Sequence, residues 1–253
     1  MGLILKAAGA NFEANAVSYI PPVADGLLYW GFLNDSIEKL GRNFAPGGGP
    51  LSVVGAPIMD AKGAVLSASN YVQLPVQQTP SLTIIVVGHP LSSDTPGMLC
   101  TNYSTTRPGG LAGITSGVSL YTATDAAGKF RAIANVSSFS GVSGAATLTN
   151  QATIFGLELT KPAFLAMTFD ATEKIVRLRN LATGLETVAP VFTQAIDIGV
   201  APFRVGAAVV ANYPSSPRNM HFSAYYNRKL SNEELGIIYA LVKAYLATRG
   251  VVV

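Results

Sequence analysis

The chain has 253 residues, enough for one large β-sandwich or two small domains with a true core. Hydrophobic residues at 49% and aromatics at 9% exclude a disordered chain, while charged residues make up only 12%, against about 25% in ordinary soluble proteins. The net charge is +3, Lys and Arg are scattered, and Arg228-Lys229 is the sole basic doublet, which excludes a nucleic-acid-binding stripe.

The thinness of charge is also local. Between Gly63 and Gly128 the charged residues are Asp94, Arg107 and Asp125. Two readings account for this. Either the surface is neutral and rich in Ser, Thr, Asn and Gly, or other subunits cover much of it; the second makes the protein a homo-oligomer. Cys100 is the single cysteine, so no internal disulfide can form and a cysteine-based metal site has no support.

Residues 1–23, MGLILKAAGANFEANAVSYIPPV, show neither a helical stripe nor strand alternation. They end on Pro21-Pro22, which favour extended backbone. Leu3, Leu5, Phe12, Val17, Tyr19 and Ile20 are too apolar for a solvated tail. We expect an assembly arm that lies on its own domain or on a neighbour. Lys6 and Gly9 break the arm's first apolar run, leaving it too short for a signal-peptide core. The longest apolar run, Leu82–Gly88, is strand-sized and far below membrane-spanning length. The chain therefore reads as soluble and made in a cytoplasm without cleavage.

Residues 24–253 read as one sandwich domain. GLLYWGFL opens it, with Trp30 and Phe32 on one side of a strand and Leu27, Tyr29, Gly31 and Leu33 on the other. A loop through APGGGP follows, and then many short apolar segments separated by turn residues. LTIIVV and FLAMTF are apolar on both faces and should lie centrally. KFRAIANV alternates, with Phe130, Ala132, Ala134 and Val136 inward and Lys129, Arg131 and Asn135 outward. NMHFSAYY is expected to alternate likewise, with Met220, Phe222, Ala224 and Tyr226 inward. The chain closes on a helix over residues 231–249. Ser231 and Glu234 form a capping box, and Leu235, Ile238, Leu241, Val242 and Tyr245 recur at helical spacing. Gly250 can stop the helix.

This ending, NMHFSAYYNRKLSNEELGIIY, resembles the last strand and helix of concanavalin A-like, laminin-G-like sandwich domains. GLLYWGFLND, YVQLP, FLAMTFDATEKIVRLRNLATG and FRVGAA resemble other strands of that family in the right order, so the likeness runs from Gly26 to Gly250. It implies an all-β, jelly-roll antiparallel sandwich. The leader LKAAGANFEANAVSYIPPVADGLLYWGFL, from Leu5 to Leu33, resembles the start of small virion proteins of tailed bacteriophages and prophages. That likeness implies a virion structural protein, a tail fibre or baseplate subunit that assembles with copies of itself and other virion proteins. A carbohydrate-binding adhesin for host surface glycan is the alternative, and a capsid decoration protein a further one.

Catalysis finds no constellation. Glycoside hydrolases of this fold carry Glu-x-Asp-x-Glu on one strand, which places two carboxylates on one face; here Glu158 stands alone, and Asp170 and Glu173 belong to a hairpin turn. His89 and His221 lack a nucleophile partner and read as surface or satisfied structural residues, His221 on the outward side of its strand. GITSG is not a nucleophile elbow, and no phosphate loop is present. The sequence therefore predicts no enzyme and no cofactor. Laminin-G-like domains often bind calcium through loop oxygens, for which Asp94, Asn102, Asp125 and Asn212 are the candidates, but no ligand run joins them. For glycan, two loops each offer Asn-Tyr and an Arg: Asn102, Tyr103 and Arg107, then Asn212, Tyr213 and Arg218. The alternative is that both tyrosines pack under their own loops or into a subunit contact. Trp30 reads as core.

Overall fold

The computed structural model describes residues 20–91, 96–109, 111–125, 127–142, 148–159, 161–210, 213 and 215–253. The arm residues Leu3, Leu5, Phe12, Val17 and Tyr19 lie outside these; Ile20 is described and exposed.

The strands, in chain order, are β1 (Leu27–Phe32), β2 (Ser52–Val54), β3 (Ile58–Met59), β4 (Ala64–Leu66), β5 (Tyr71–Gln73) and β6 (Leu82–Pro90). Next come β7 (Gly97–Thr101), β8 (Thr105–Thr106), β9 (Ile114–Thr115), β10 (Val118–Thr124), β11 (Phe130–Ser138) and β12 (Leu148–Phe155). The last are β13 (Ala163–Asp170), β14 (Ile175–Asn180), β15 (Leu185–Val188), β16 (Arg204–Val205) and β17 (Arg218–Tyr226). Helix α1 (Ile37–Leu40) follows β1, and α2 (Asn232–Thr248) follows β17.

The strands form two antiparallel sheets. One has eight strands in the order β15-β14-β13-β6-β17-β4-β3, with β1 pairing the other half of β17 beside β4. The other has seven, in the order β12-β11-β10-β7-β16-β5-β2. The two sheets enclose a core of Tyr29, Leu66, Val72, Ile84, Val86, Leu120, Ala134, Leu165, Met167, Phe203 and Tyr225. The fold is an all-β sandwich with one C-terminal helix, as the segment pattern predicts.

Helix α2 adds a third layer. Leu235, Ile238, Val242 and Leu246 pack on Trp30, Val87, Phe164, Phe222 and Tyr226, on the outer face of the eight-stranded sheet. The capping box forms as expected: Glu234 N–H donates to Ser231 Oγ at 3.2 Å, and Ser231 N–H donates to the Glu234 carboxylate at 2.8 Å. Arg228 clasps the same carboxylate at 2.7 and 3.1 Å, which holds Glu234 at about 2, well below its ordinary value. Trp30 is fully buried, as expected of a core residue.

Three expectations are corrected. β17 is not half-buried: both of its faces are covered. Met220 and Tyr225 enter the sandwich core, while Phe222, Ala224 and Tyr226 lie under α2. The cause is a bulge between Met220 and Phe222, which shifts the register against β6 and breaks the alternation. A similar irregularity between Leu27 and Tyr29 sends Leu27 to the helix side, away from Tyr29 and Leu33. His221, at the β17 bulge, is buried at 2% exposure and stacks on His89 at 5.6 Å. Its Nδ1 meets the Lys62 carbonyl at 2.8 Å, but His221 Nε2 and His89 Nδ1 are buried without partners, so the pair is not the satisfied one the sequence suggests.

Candidate functional site

Because α2 covers one sheet, the face left to solvent is the outward side of the other. Register places a polar row straight across it. Gln151 lies opposite Asn135, and Asn135 opposite Ser119. Ser119 then faces Thr101, Thr101 faces Arg204, Arg204 faces Gln73, and Gln73 faces Ser52. Alternation on each strand keeps apolar neighbours such as Leu120, Ala134 and Val205 in the core while the row points outward, with Ser119 and Thr101 at its centre buried.

Side chains join within the row. The Thr101 and Ser119 hydroxyls lie 2.7 Å apart, and Arg204 Nε donates to Gln73 Oε1 at 2.9 Å. Asn135 Nδ2 donates to the Tyr121 hydroxyl at 3.4 Å, while Asn135 Oδ1 is buried with no acceptor role filled.

Tyrosines stand on both sides of this row. Tyr103 is anchored through its own backbone: its N–H donates to Thr101 Oγ1 at 2.8 Å, and its carbonyl accepts from Val209 and Val210. That ties the loop after β7 to the loop after β16, and the Tyr103 and Tyr213 rings meet at 4.9 Å. Burial raises the Tyr213 phenol, and Tyr103 and Tyr121 raise it further. Burial likewise raises Tyr121. Tyr121 and Tyr213 therefore stay neutral hydroxyls over the physiological range, able to donate and accept. On the far side Tyr71 stacks under the Arg204 guanidinium, 4.5 Å from ring centroid to carbon. A depression of about 360 Å³ opens there, between Tyr71, Arg204, Val209 and Tyr213. Half-buried aromatic faces beside fixed hydrogen-bonding groups are the elements of a sugar site.

The six residues expected at a glycan site divide. Tyr103 and Tyr213 reach the face, and their two loops form one surface rather than two. Asn102 is corrected: it is fully buried, accepts from Val118 N–H at 2.7 Å and donates to Gln78 at 3.1 Å. Arg107 is corrected as well. It lies buried beneath its loop, with Nε 3.0 Å from Asp197 Oδ1 and Nη2 2.9 Å from Oδ2, and its guanidinium lies over the Phe139 ring. Arg218 is the third correction. It begins β17, points between the sheets, and donates to Thr122 Oγ1 at 3.0 Å; burial lowers it to about 10. Asn212 lies outside the described residues.

Tyr71, Tyr121 and Arg204 are the residues that loop-based reasoning misses. The signal for Tyr121 is the alternation of VSLYTAT, which puts it opposite the buried Leu120. Arg131 and Asn135 are outward as their strand pattern predicts.

Of the calcium candidates, Asn102 and Asp125 are described, and a side-chain oxygen of each is engaged within the chain. Asp125 Oδ1 serves its own turn, accepting from Ala127 and Lys129 N–H at 2.9 and 2.8 Å, and both oxygen and amide of Asn102 are engaged. Asp94 lies outside the described residues. Among the described residues no group of three His, Cys, Asp or Glu could hold a metal. Of the carboxylates weighed for hydrolysis, Asp170 accepts from Thr172 and Glu173 N–H and from Ser81, as a turn residue does. Glu158 is exposed and paired with Lys161.

No protein-family model matches the chain, and no curated protein matches its sequence. Solved structures do resemble it. A sialidase of Trypanosoma rangeli in complex with sialic acid aligns with TM-score 0.55 and 15% identity, over 87% of this chain and 33% of that one. The binding domain of botulinum neurotoxin serotype D aligns with TM-score 0.57 and 11% identity, over 86% of this chain and 52% of that one. The binding domain of botulinum neurotoxin DC, in complex with SialylT, gives TM-score 0.57 and 10% identity, over 87% and 52%. The chain thus spans between a third and about half of these proteins, at 33% and 52% of their lengths. At such identities the likeness concerns the fold alone, an antiparallel β-sandwich.

Proposed function

We propose that the protein is a non-catalytic carbohydrate-binding domain that holds glycan on the outward face of its seven-stranded sheet. The observation that carries this reading is the convergence of Tyr71, Tyr103, Tyr121 and Tyr213 along a polar row crossing the sheet. Sugar rings stack on partly exposed aromatic faces while fixed amides and hydroxyls select their orientation. The similar solved structures include a sialidase bound to sialic acid and a toxin binding domain in complex with SialylT, which supports the class of ligand. The reading needs no cofactor. A glycan array probed with the full chain, followed by calorimetry on the strongest hit, tests it. Saturable binding that is weakened about tenfold in Tyr103→Ala and in Tyr71→Ala is expected. Absence of binding to any glycan overturns it.

A second reading places this domain in a tailed-phage virion, as a fibre or baseplate subunit that binds host surface glycan. It rests on the resemblance of the leader, and the exposed Ile58, Phe155 and Val191 give it apolar surface for neighbours. Light scattering on the full chain and on a chain starting at Val23 tests the assembly part. An oligomer that becomes monomeric on truncation is expected; a monomer in both cases removes the arm from assembly.

A further inference from the structure

We propose that the depression beside Arg204 accepts a sugar residue bearing a carboxylate. This rests on the glycan reading above and narrows it to an acidic sugar.

The depression, about 360 Å³, suits one sugar ring, and its walls are Tyr71, Ala208, Val209, Val210 and Tyr213. Arg204 is the charged group that lines it. Its guanidinium is fixed before any ligand arrives. Nε donates to Gln73 Oε1 at 2.9 Å, and Nη1 donates to the Ala208 and Val209 carbonyls at 2.8 and 3.2 Å. The Tyr71 ring backs the same group at 4.5 Å. Every one of these partners is neutral. They orient the fork and leave its charge uncompensated.

Among the described residues, none that lines the depression is a carboxylate. None of the seven strands of this sheet contains Asp or Glu. Elsewhere Arg177, Arg179, Arg228 and Arg249 each meet a carboxylate. Arg131, on the same outward face, also lacks one: it lies over the Phe155 ring at 6.0 Å, and its buried Nε has no partner. The face is therefore cationic and selective by sign. With Nε and Nη1 engaged, Nη2 is the nitrogen left to donate to a carboxylate oxygen, and the sugar ring is left to stack on Tyr71 or Tyr213.

Calorimetry on the full chain tests this with sialyllactose and a galacturonic acid oligosaccharide, each against a neutral counterpart, and with sulfated lactose as a third arm. The carboxylate sugars are expected to bind about tenfold or more tightly than the neutral ones, an advantage that shrinks at high salt. Arg204→Gln is expected to erase the advantage of the acidic sugars over the neutral ones; Arg204→Lys is expected to keep part of it. The wild-type comparison stands on its own if Arg204→Gln fails to fold. Equal binding of acidic and neutral sugars overturns this proposal and leaves the glycan reading intact. Equal binding of sulfated and carboxylate sugars overturns the assignment to a carboxylate. If no glycan binds, the broader reading fails, and this one with it.

Discussion

The Tyr103 and Tyr213 rings lie 4.9 Å apart, although their loops leave different strands far apart in sequence. Neither loop forms the surface alone. Tyr103→Ala should weaken glycan binding by about tenfold while lowering stability by less than about 1.5 kcal/mol, because the ring pair is only half-buried. Calorimetry with thermal melts checks both numbers. Unchanged affinity in a folded variant removes Tyr103 from the site.

Arg107 and Asp197 form a bidentate pair with almost no exposure, 0% and 3% for the two side chains. The pair fastens the loop carrying β8 and β9 to the segment ahead of β16. Removing one partner strands the other as a buried charge. Asp197→Ala is expected to cost about 3–5 kcal/mol in urea unfolding. A loss below about 1 kcal/mol means that water reaches the pair.

Gly97 lies against the buried Arg218, and a Cβ added there would land on the guanidinium. The Arg218 guanidinium is held by Thr122 on β10, across the sandwich, so it has little room to retreat. Gly97→Ala should destabilise by about 1–3 kcal/mol, the usual scale of overpacking. Gly97→Ala combined with Arg218→Ala should recover part of the loss, and the double-mutant cycle reads that coupling.

The stacked histidines set a pH dependence. Burial lowers His89 to about 4 from its ordinary 6.5, and His221 adds a smaller push. Burial also lowers His221, against the Lys62 carbonyl and Asp60, which favour its cation. Between 6.5 and about 4 the unfolded chain binds more protons than the folded one. Their contribution is therefore complete above 6.5 and is lost as the pH falls toward 4. Denaturant midpoints above and below that window should show the loss, and His89→Gln should flatten it. A further fall at lower pH belongs to Glu234, whose carboxylate is held at about 2 by Arg228.

Ser231 supplies one half of the capping box of α2. Ser231→Ala is expected to cost about 1 kcal/mol, read as a lower thermal midpoint with an unchanged circular dichroism spectrum. No change in midpoint assigns the helix start to the Arg228–Glu234 pair alone.

Much of the scaffold was legible because local rules decide it. Ser231 and Glu234 announce a helix start, and FLAMTF announces a strand covered on both faces; both readings hold in α2 and β13. The β17 alternation failed at a bulge, which depends on how β6 pairs with it and leaves no mark in NMHFSAYY. The site was harder to read. An arginine in a polar loop looks the same whether it faces water or a buried aspartate, so Arg107 was misplaced for want of Asp197, distant in the chain. Tyr71, Tyr121 and Arg204 belong to three strands that only the sheet order brings together.

The packing of α2 against Trp30, Phe164 and Phe222 divides the molecule by mutational tolerance. Every side chain on the eight-stranded sheet's central strands answers to a packed neighbour above or below, so most changes there cost stability. Gln151, Ser52 and the outward tyrosines of the seven-stranded sheet stand outside the core cluster between the sheets. Specificity can therefore drift across the seven-stranded face, one outward residue at a time, while the fold beneath it stays fixed.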